Sequence, residues 1–142
     1  MELIKKNVAI EIRTVIEDDG EKELTITKQK GNYIKKEQTE VITFVEKTQD
    51  FAEVKSLITI QPDKINLKRS GSITMNQQFV EGSTSECLYR HPYGAFRMEI
   101  TTESIKREVI GEENKIIIIY EIELDDGHIR NHHLTLTFTE EK

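Results

Sequence analysis

Six polar residues stand where a β-strand would turn them toward an interior. Glu46 follows Ile42 and Phe44 at every second position, Arg69 follows Ile65 and Leu67, and Gln77 falls between Met75 and Phe79. Tyr89 and His91 follow Cys87 with the same period, and Tyr120 interrupts an isoleucine run. A period of two puts each set on one face of a strand. A carboxylate and a guanidinium inside a fold must be paired or hydrated, because an isolated buried charge is costly. The plainer reading is a structural Glu46–Arg69 pair near one end of the fold, with tyrosine hydroxyls completing the network. The sharper reading is a ligand site. There Arg69 takes an anionic group through its planar fork. Gln77, Tyr89, His91 and Tyr120 supply polar handles beside an apolar wall of Ile73, Met75 and Phe79. A third reading makes Glu46 and His91 an acid–base pair at a mouth.

The histidines invite a metal: His91, His128, His132 and His133, with Asp125 and Asp126 nearby. Strand geometry argues against it. Residues four apart on a strand lie about 13 Å from each other, at about 3.3 Å per residue. His128 and His132 then share a face without reaching one ion, and His133 points the other way. They read as solvated hairpin histidines, and no metal or cofactor is expected. Cys87 and His91 have the same spacing, which argues against a thiol nucleophile and its base unless the chain bends near Pro92. A lone cysteine among strand residues is more simply a small core hydrophobe. A Walker loop, a GxSxG elbow and a GxGxxG turn are all missing from the sequence. No catalytic residue is assigned.

The elements that would position these residues are strands. The chain holds 20 Ile, 7 Val and 14 Thr but only 3 Ala. β-branched side chains lose χ1 freedom on a helix and pack well on a pleated surface. Val8, Ile10, Ile12, Thr14 and Ile16 share one face. Asp18-Asp19-Gly20 then reads as a hairpin turn, because Asp-Gly tolerates positive φ. Leu24 and Ile26 carry the return strand, expected to end near Gly31-Asn32. Further runs sit between breaks at Gln61-Pro62-Asp63, Ser70-Gly71-Ser72, Glu81-Gly82-Ser83, Pro92-Tyr93-Gly94, Gly111-Glu112-Glu113-Asn114 and Asp125-Asp126-Gly127. Phe51, Val54, Leu57 and Ile58, with Thr48 as a cap, also fit a helical stripe, and Glu103 to Ile110 has room for a helical turn. Strand is the preferred reading of both. The expectation is all-β: one domain over residues 1–142, a single antiparallel up-and-down barrel of about eight to ten strands. Closing the meander removes its exposed edges.

Charge and cysteine count narrow the setting. Net charge is −6 at pH 7. That disfavours nucleic acid, which calls for basic excess, and an anionic membrane surface. One cysteine rules out an internal disulfide. Met1 to Ile12 alternates charge and apolarity, unlike the apolar core of a signal peptide. A cytoplasmic location is the expectation.

Five segments resemble one family when taken in order. They are Gly31-Asn32-Tyr33, Phe44-Val45-Glu46, Lys68-Arg69-Ser70-Gly71, Tyr89-Arg90-His91-Pro92-Tyr93-Gly94 and Ile100-Thr101-Thr102. Their order, over roughly residues 22 to 140, resembles the YwiB-like family of small bacterial proteins with a calycin-type, lipocalin-like β-barrel. The resemblance implies an eight- to ten-stranded barrel and a cytoplasmic bacterial protein. It implies no activity.

One run bears on partners. Ile116 to Ile119 are consecutive, so a barrel leaves Ile117 and Ile119 outside. A helical turn from residues 48–58 or 103–110 would cover them, or a second subunit would, giving a homodimer. Three functions compete: binding of a small, partly apolar or anionic ligand in the barrel, partner binding through its outside, and catalysis at its mouth. Ligand binding is the preferred one.

Overall fold

The computed structural model describes residues 3–47 and 52–141. Ten antiparallel strands cover most of them: β1 Leu3–Asp18, β2 Glu21–Lys36, β3 Thr39–Lys47, β4 Glu53–Ile60, β5 Ile65–Gly71, β6 Met75–Phe79, β7 Thr84–His91, β8 Gly94–Ile110, β9 Glu113–Leu124 and β10 Ile129–Glu140. The sheet order is β6-β5-β4-β3-β2-β1-β10-β9-β8-β7. Every chain neighbour except β6 and β7 is therefore a sheet neighbour, and β1 pairs with β10. The two ends of the sheet meet at β6 and β7. There Thr74 and Arg90 exchange backbone hydrogen bonds of 3.0 and 2.8 Å, and Ser85 Oγ donates to the Gln78 carbonyl at 3.0 Å. The result is a nearly closed barrel, with no helix among the described residues.

The alternating residues fill its inside. Val8 and Ile10 of β1, Ile42 and Phe44 of β3, Ile116 and Ile118 of β9, and Leu136 and Phe138 of β10 are all buried in one core. Burying each such side chain stabilises the fold by about 1.5–3 kcal/mol relative to leaving it in water. Asp19 and Gly20 both have positive φ, at 50° and 81°. The first Asp-Gly turn thus takes the form that suits a two-residue hairpin.

Several expectations need correction. β2 does not end at Gly31-Asn32 but continues to Lys36, and Leu24 and Ile26 are exposed on the outside. Gly31 is a point of close approach rather than a turn. A Cβ there would overlap the Thr43 carbonyl oxygen and lie 2.7 Å from Ile10 Cδ1. The 103–110 segment is strand, so it forms no helical turn over Ile117 and Ile119. Thr48 and Phe51 lie outside the described residues. Val54 and Ile58 are buried while Leu57 is exposed, as a strand requires. β8 carries a bulge between Thr102 and Ser104. One extra residue there turns the following side chains to the opposite faces.

Candidate functional site

The pairing register runs two sets of inward residues to opposite ends of the barrel. At one end, β2, β3, β8 and β9 bring Tyr33, Glu40, Arg107 and Asn114 together. Arg107 Nη1 and Nη2 donate to the two Glu40 oxygens at 2.5 and 2.8 Å, and Nη2 also donates to Asn114 Oδ1 at 3.0 Å. The Tyr33 hydroxyl donates to Glu40 at 2.5 Å. Tyr33 stacks on Phe138 with centroids 5.4 Å apart, and the Arg107 guanidinium lies 5.9 Å from the Phe138 ring centroid. Burial pushes the Glu40 carboxyl up, but the hydrogen bonds from Arg107 and Tyr33, with the Arg107 charge, outweigh it and hold it below its ordinary value. Burial, together with Glu40, pushes the Tyr33 hydroxyl well up. This end is plugged by its own side chains.

The other end is hollow. A cavity of about 540 Å³ opens there. Arg69 and Leu67 of β5, Met75 and Gln77 of β6, Tyr89 of β7, Tyr120 of β9 and His132 of β10 are among its walls. The charged residues of the lining are Arg69 and Arg130, and no carboxylate is among them. Arg69 Nη2 lies 3.5 Å from Glu46, and both side chains are partly exposed. Arg130 Nε lies 3.2 Å from Asp18. His132 stacks on Tyr120 with centroids 4.9 Å apart and an interplanar angle of 21°. His132 is only 9% exposed, and neither ring nitrogen has a hydrogen-bond partner among the described residues. Burial, then the Arg130 charge, pulls its pKa down to about 4. Its imidazole is therefore neutral at pH 7, with one donor and one acceptor unused. Burial pushes the Tyr120 hydroxyl up, against the opposing charge of Arg69.

Of the six residues singled out from the sequence, four meet in this wall: Arg69, Gln77, Tyr89 and Tyr120. Glu46 stands behind Arg69 as its counterion. His91 is at the exposed rim, where its Nδ1 accepts from the Tyr93 amide at 3.2 Å. Among the described residues no hydrogen bond or ion pair joins Glu46 to His91, so the geometry does not assemble that acid–base pair. No tyrosine hydroxyl bonds to Glu46 or Arg69 among them either; the tyrosine that bonds a carboxylate is Tyr33, at the far end. Cys87 is buried, and burial pushes its thiol up, away from a nucleophilic thiolate.

Glu40, Arg107 and His132 are among the residues that the sequence reading did not single out. Glu40 shares the face of Ile42 and Phe44, so its parity was a usable signal. Arg107 had none, because the bulge reverses its parity. His132 was read as a solvated hairpin residue, although Leu134, Leu136 and Phe138 share its face. Of the other histidines, His133 is exposed on the outside, and His128 Nε2 lies 2.6 Å from Asp18.

Comparisons with known proteins agree with this architecture. The Bacillus subtilis protein described as "Uncharacterized beta-barrel protein YwiB" is 28% identical over 131 residues, 92% of each chain. The crystal structure of the ywiB protein from Bacillus subtilis matches with a TM-score of 0.85 at 25% identity, over 97% of this chain and 94% of that one. No helix of the described residues is long and apolar enough to cross a membrane. Residues 10–136 match the family described as "Domain of unknown function (DUF1934)", and the chain belongs to that family.

Proposed function

We propose that this protein binds a small, partly apolar or anionic molecule in the open half of its barrel, without catalysis. This is the calycin-like role, an antiparallel barrel with one ligand inside. One observation carries the reading. Of the seven buried side-chain polar atoms without a hydrogen-bond partner among the described residues, four belong to residues lining this cavity. They are Arg69 Nε, the two nitrogens of His132 and Arg130 Nε, the last of which faces the Asp18 carboxylate at 3.2 Å as an ion pair. Such atoms are rare in native proteins, and a group of them asks for an occupant. The cavity is also the size of known ligand sites, roughly 300–1,000 Å³. The proposed setting is the bacterial cytoplasm, where a lone thiol stays reduced.

Two methionines of the lining, Met75 and Met98, offer a direct test. Native mass spectrometry of gently purified protein should show a retained small molecule. Methyl-labelled methionine spectra should show the Met75 and Met98 signals moving when a fragment library is added. No retained mass and no movement from any fragment would end this reading.

A homodimer is the second reading. Ile117 and Ile119 are half-buried on the outer face of β9, and across Thr135 and His133 of β10 the same face continues to half-buried Val15 and exposed Leu24 and Ile26. Arg13 and Lys106 share the cross-strand row of Ile117, and Glu17 and Glu121 lie in the row beyond Val15 and Ile119. A two-fold axis would set basic flank against acidic flank. Sedimentation of the wild type should then give a dimer that Ile119→Lys converts to monomer. A monomer at every concentration would overturn it.

A further inference from the structure

The chemistry of the walls restricts what the cavity accepts. The chain carries six more acidic than basic side chains, 26 against 20. The lining of the cavity nevertheless contains two arginines and no carboxylate, with Glu46 and Asp18 standing behind them. β5 and β10 are five places apart in the ring of ten strands. Arg69 and Arg130 therefore approach the cavity from opposite walls. Among the described residues each has a single counterion, Arg69 through Nη2 with Glu46 at 3.5 Å and Arg130 through Nε with Asp18 at 3.2 Å, and the buried Arg69 Nε has no hydrogen-bond partner. A guanidinium has five donors, so both remain able to bond an anion.

The second feature is the concentration of rings. Three of the four tyrosines, Tyr89, Tyr93 and Tyr120, are at this end. From the rim inward, Tyr93 lies 5.3 Å from His91, His91 6.4 Å from Tyr89, and Tyr89 6.3 Å from Phe96. Tyr93 is 93% exposed, an unusual place for an aromatic side chain with nothing to cover it. Deeper in, the Tyr120–His132 stack rests on Phe79, 4.7 Å below Tyr120. An aliphatic chain needs only an apolar wall, which Ile and Leu provide as well. Two groups of rings, one at the rim and one deeper in, suit a flat guest, because offset stacking adds to simple burial.

We infer that the ligand is a planar aromatic anion, a carboxylate or sulfonate whose ring lies against the Tyr120–His132 stack and whose charge is held by Arg69 with Arg130 opposite. This rests on the proposal that the open half of the barrel is a ligand site. It adds two requirements, a flat ring and a negative charge, and each can fail separately.

Three probes of similar size separate them: 2-naphthoate, the neutral 2-naphthalenemethanol, and decanoate, an aliphatic anion. Binding is followed by the Met75 and Met98 methyl signals, and the absence of tryptophan leaves naphthalene fluorescence free of overlap. 2-Naphthoate should bind at least about ten-fold more tightly than either other probe, the strength of one charge-assisted hydrogen bond. Arg69→Gln should remove that preference over 2-naphthalenemethanol without weakening the neutral probe. Arg130→Gln should reduce the preference as well, which keeps the test open if the first variant does not fold. Equal binding of 2-naphthalenemethanol overturns the charge requirement, and equal binding of decanoate overturns the ring requirement. In both cases the cavity remains a ligand site. If none of the three moves Met75 or Met98, the aromatic-anion assignment falls. The broader reading falls with it only when the whole fragment library also fails.

Discussion

The two ends of this barrel hold the same kinds of side chain and use them in opposite ways. At the plugged end a tyrosine, a carboxylate and an arginine satisfy one another. Glu40 accepts three short hydrogen bonds, from Tyr33 and from both Nη atoms of Arg107. At the hollow end a tyrosine, a carboxylate and an arginine are also present, but Arg69 reaches Glu46 only at 3.5 Å. His132 and Tyr120 stack without a hydrogen bond to either imidazole nitrogen. A fully satisfied polar network fixes one conformation. Polar groups left without partners lower stability and leave binding capacity in place. The contrast separates the part of the barrel that holds the fold from the part available for function.

Substitution at the plugged end should have the largest effect. Arg107→Leu leaves the Glu40 carboxylate buried without its cation, at a cost of about 3–5 kcal/mol. For a domain with a typical total of about 5–15 kcal/mol, that approaches loss of the folded state at ambient temperature. Adding Glu40→Gln should restore much of it, because the stranded charge is then gone. Urea unfolding of the two variants measures both steps. A loss under about 1 kcal/mol for Arg107→Leu would mean that the network is not what secures this end.

Gly31→Ala should be next. The new methyl group would overlap the Thr43 carbonyl oxygen and press on Ile10 Cδ1. Backbone cannot yield as a flexible side chain does, so about 1–3 kcal/mol should be lost. A thermal melt at or above the wild-type midpoint would contradict the close packing of β2 between β1 and β3.

His132 should respond with the opposite sign. Replacing it with leucine removes two unpartnered polar atoms from the interior and should stabilise the protein by about 1 kcal/mol at pH 7.5. The pH dependence follows from a folded pKa of about 4 against an ordinary value of 6.5. Between those values the unfolded chain binds the proton and the folded one resists it. Stability is therefore fully present above pH 6.5 and falls as pH drops toward 4. The loss from pH 7.5 to pH 5 should be about 2 kcal/mol. Glu40 is held below its ordinary value, so its contribution is lost only at lower pH, outside this window. The difference between wild type and His132→Leu in urea midpoints at the two pH values measures the effect. Equal pH dependence in the two proteins would show that the imidazole is solvated or paired.

The contrast between the ends also explains what the sequence could reveal. Alternation located the hollow wall well, because β5, β6, β7 and β9 keep a strict period of two around Arg69, Gln77, Tyr89 and Tyr120. The same rule fails at Arg107. Counting on from Ile100 and Thr102 places Lys106 inside and Arg107 outside, and the bulge beyond Thr102 reverses that. No residue type near Glu103 announces a bulge. Glu40 and His132 are legible by parity, since each shares a face with the buried residues of its strand. Barrel closure follows from the need to protect strand edges. The void at one end depends on how long side chains fold across the interior, which a one-dimensional pattern does not contain.

The smallest expected effect sharpens the comparison most. A double-mutant cycle on Glu46 and Arg69, with Glu46→Gln and Arg69→Met, should give a coupling energy below about 1 kcal/mol, as partly exposed pairs do. The side chains are 23% and 30% exposed, so water solvates whichever partner remains. The equivalent cycle on Glu40 and Arg107 should give at least about 2 kcal/mol, since Glu40 is 6% exposed and its carboxylate has no such recourse. Similar coupling at both ends would erase the distinction between a structural pair and an available one. A large coupling at Glu46–Arg69 would be the more damaging result. An arginine bound that tightly to its own carboxylate is not free to receive an anion, and the hollow end would then be a second plug that happens to be loosely packed.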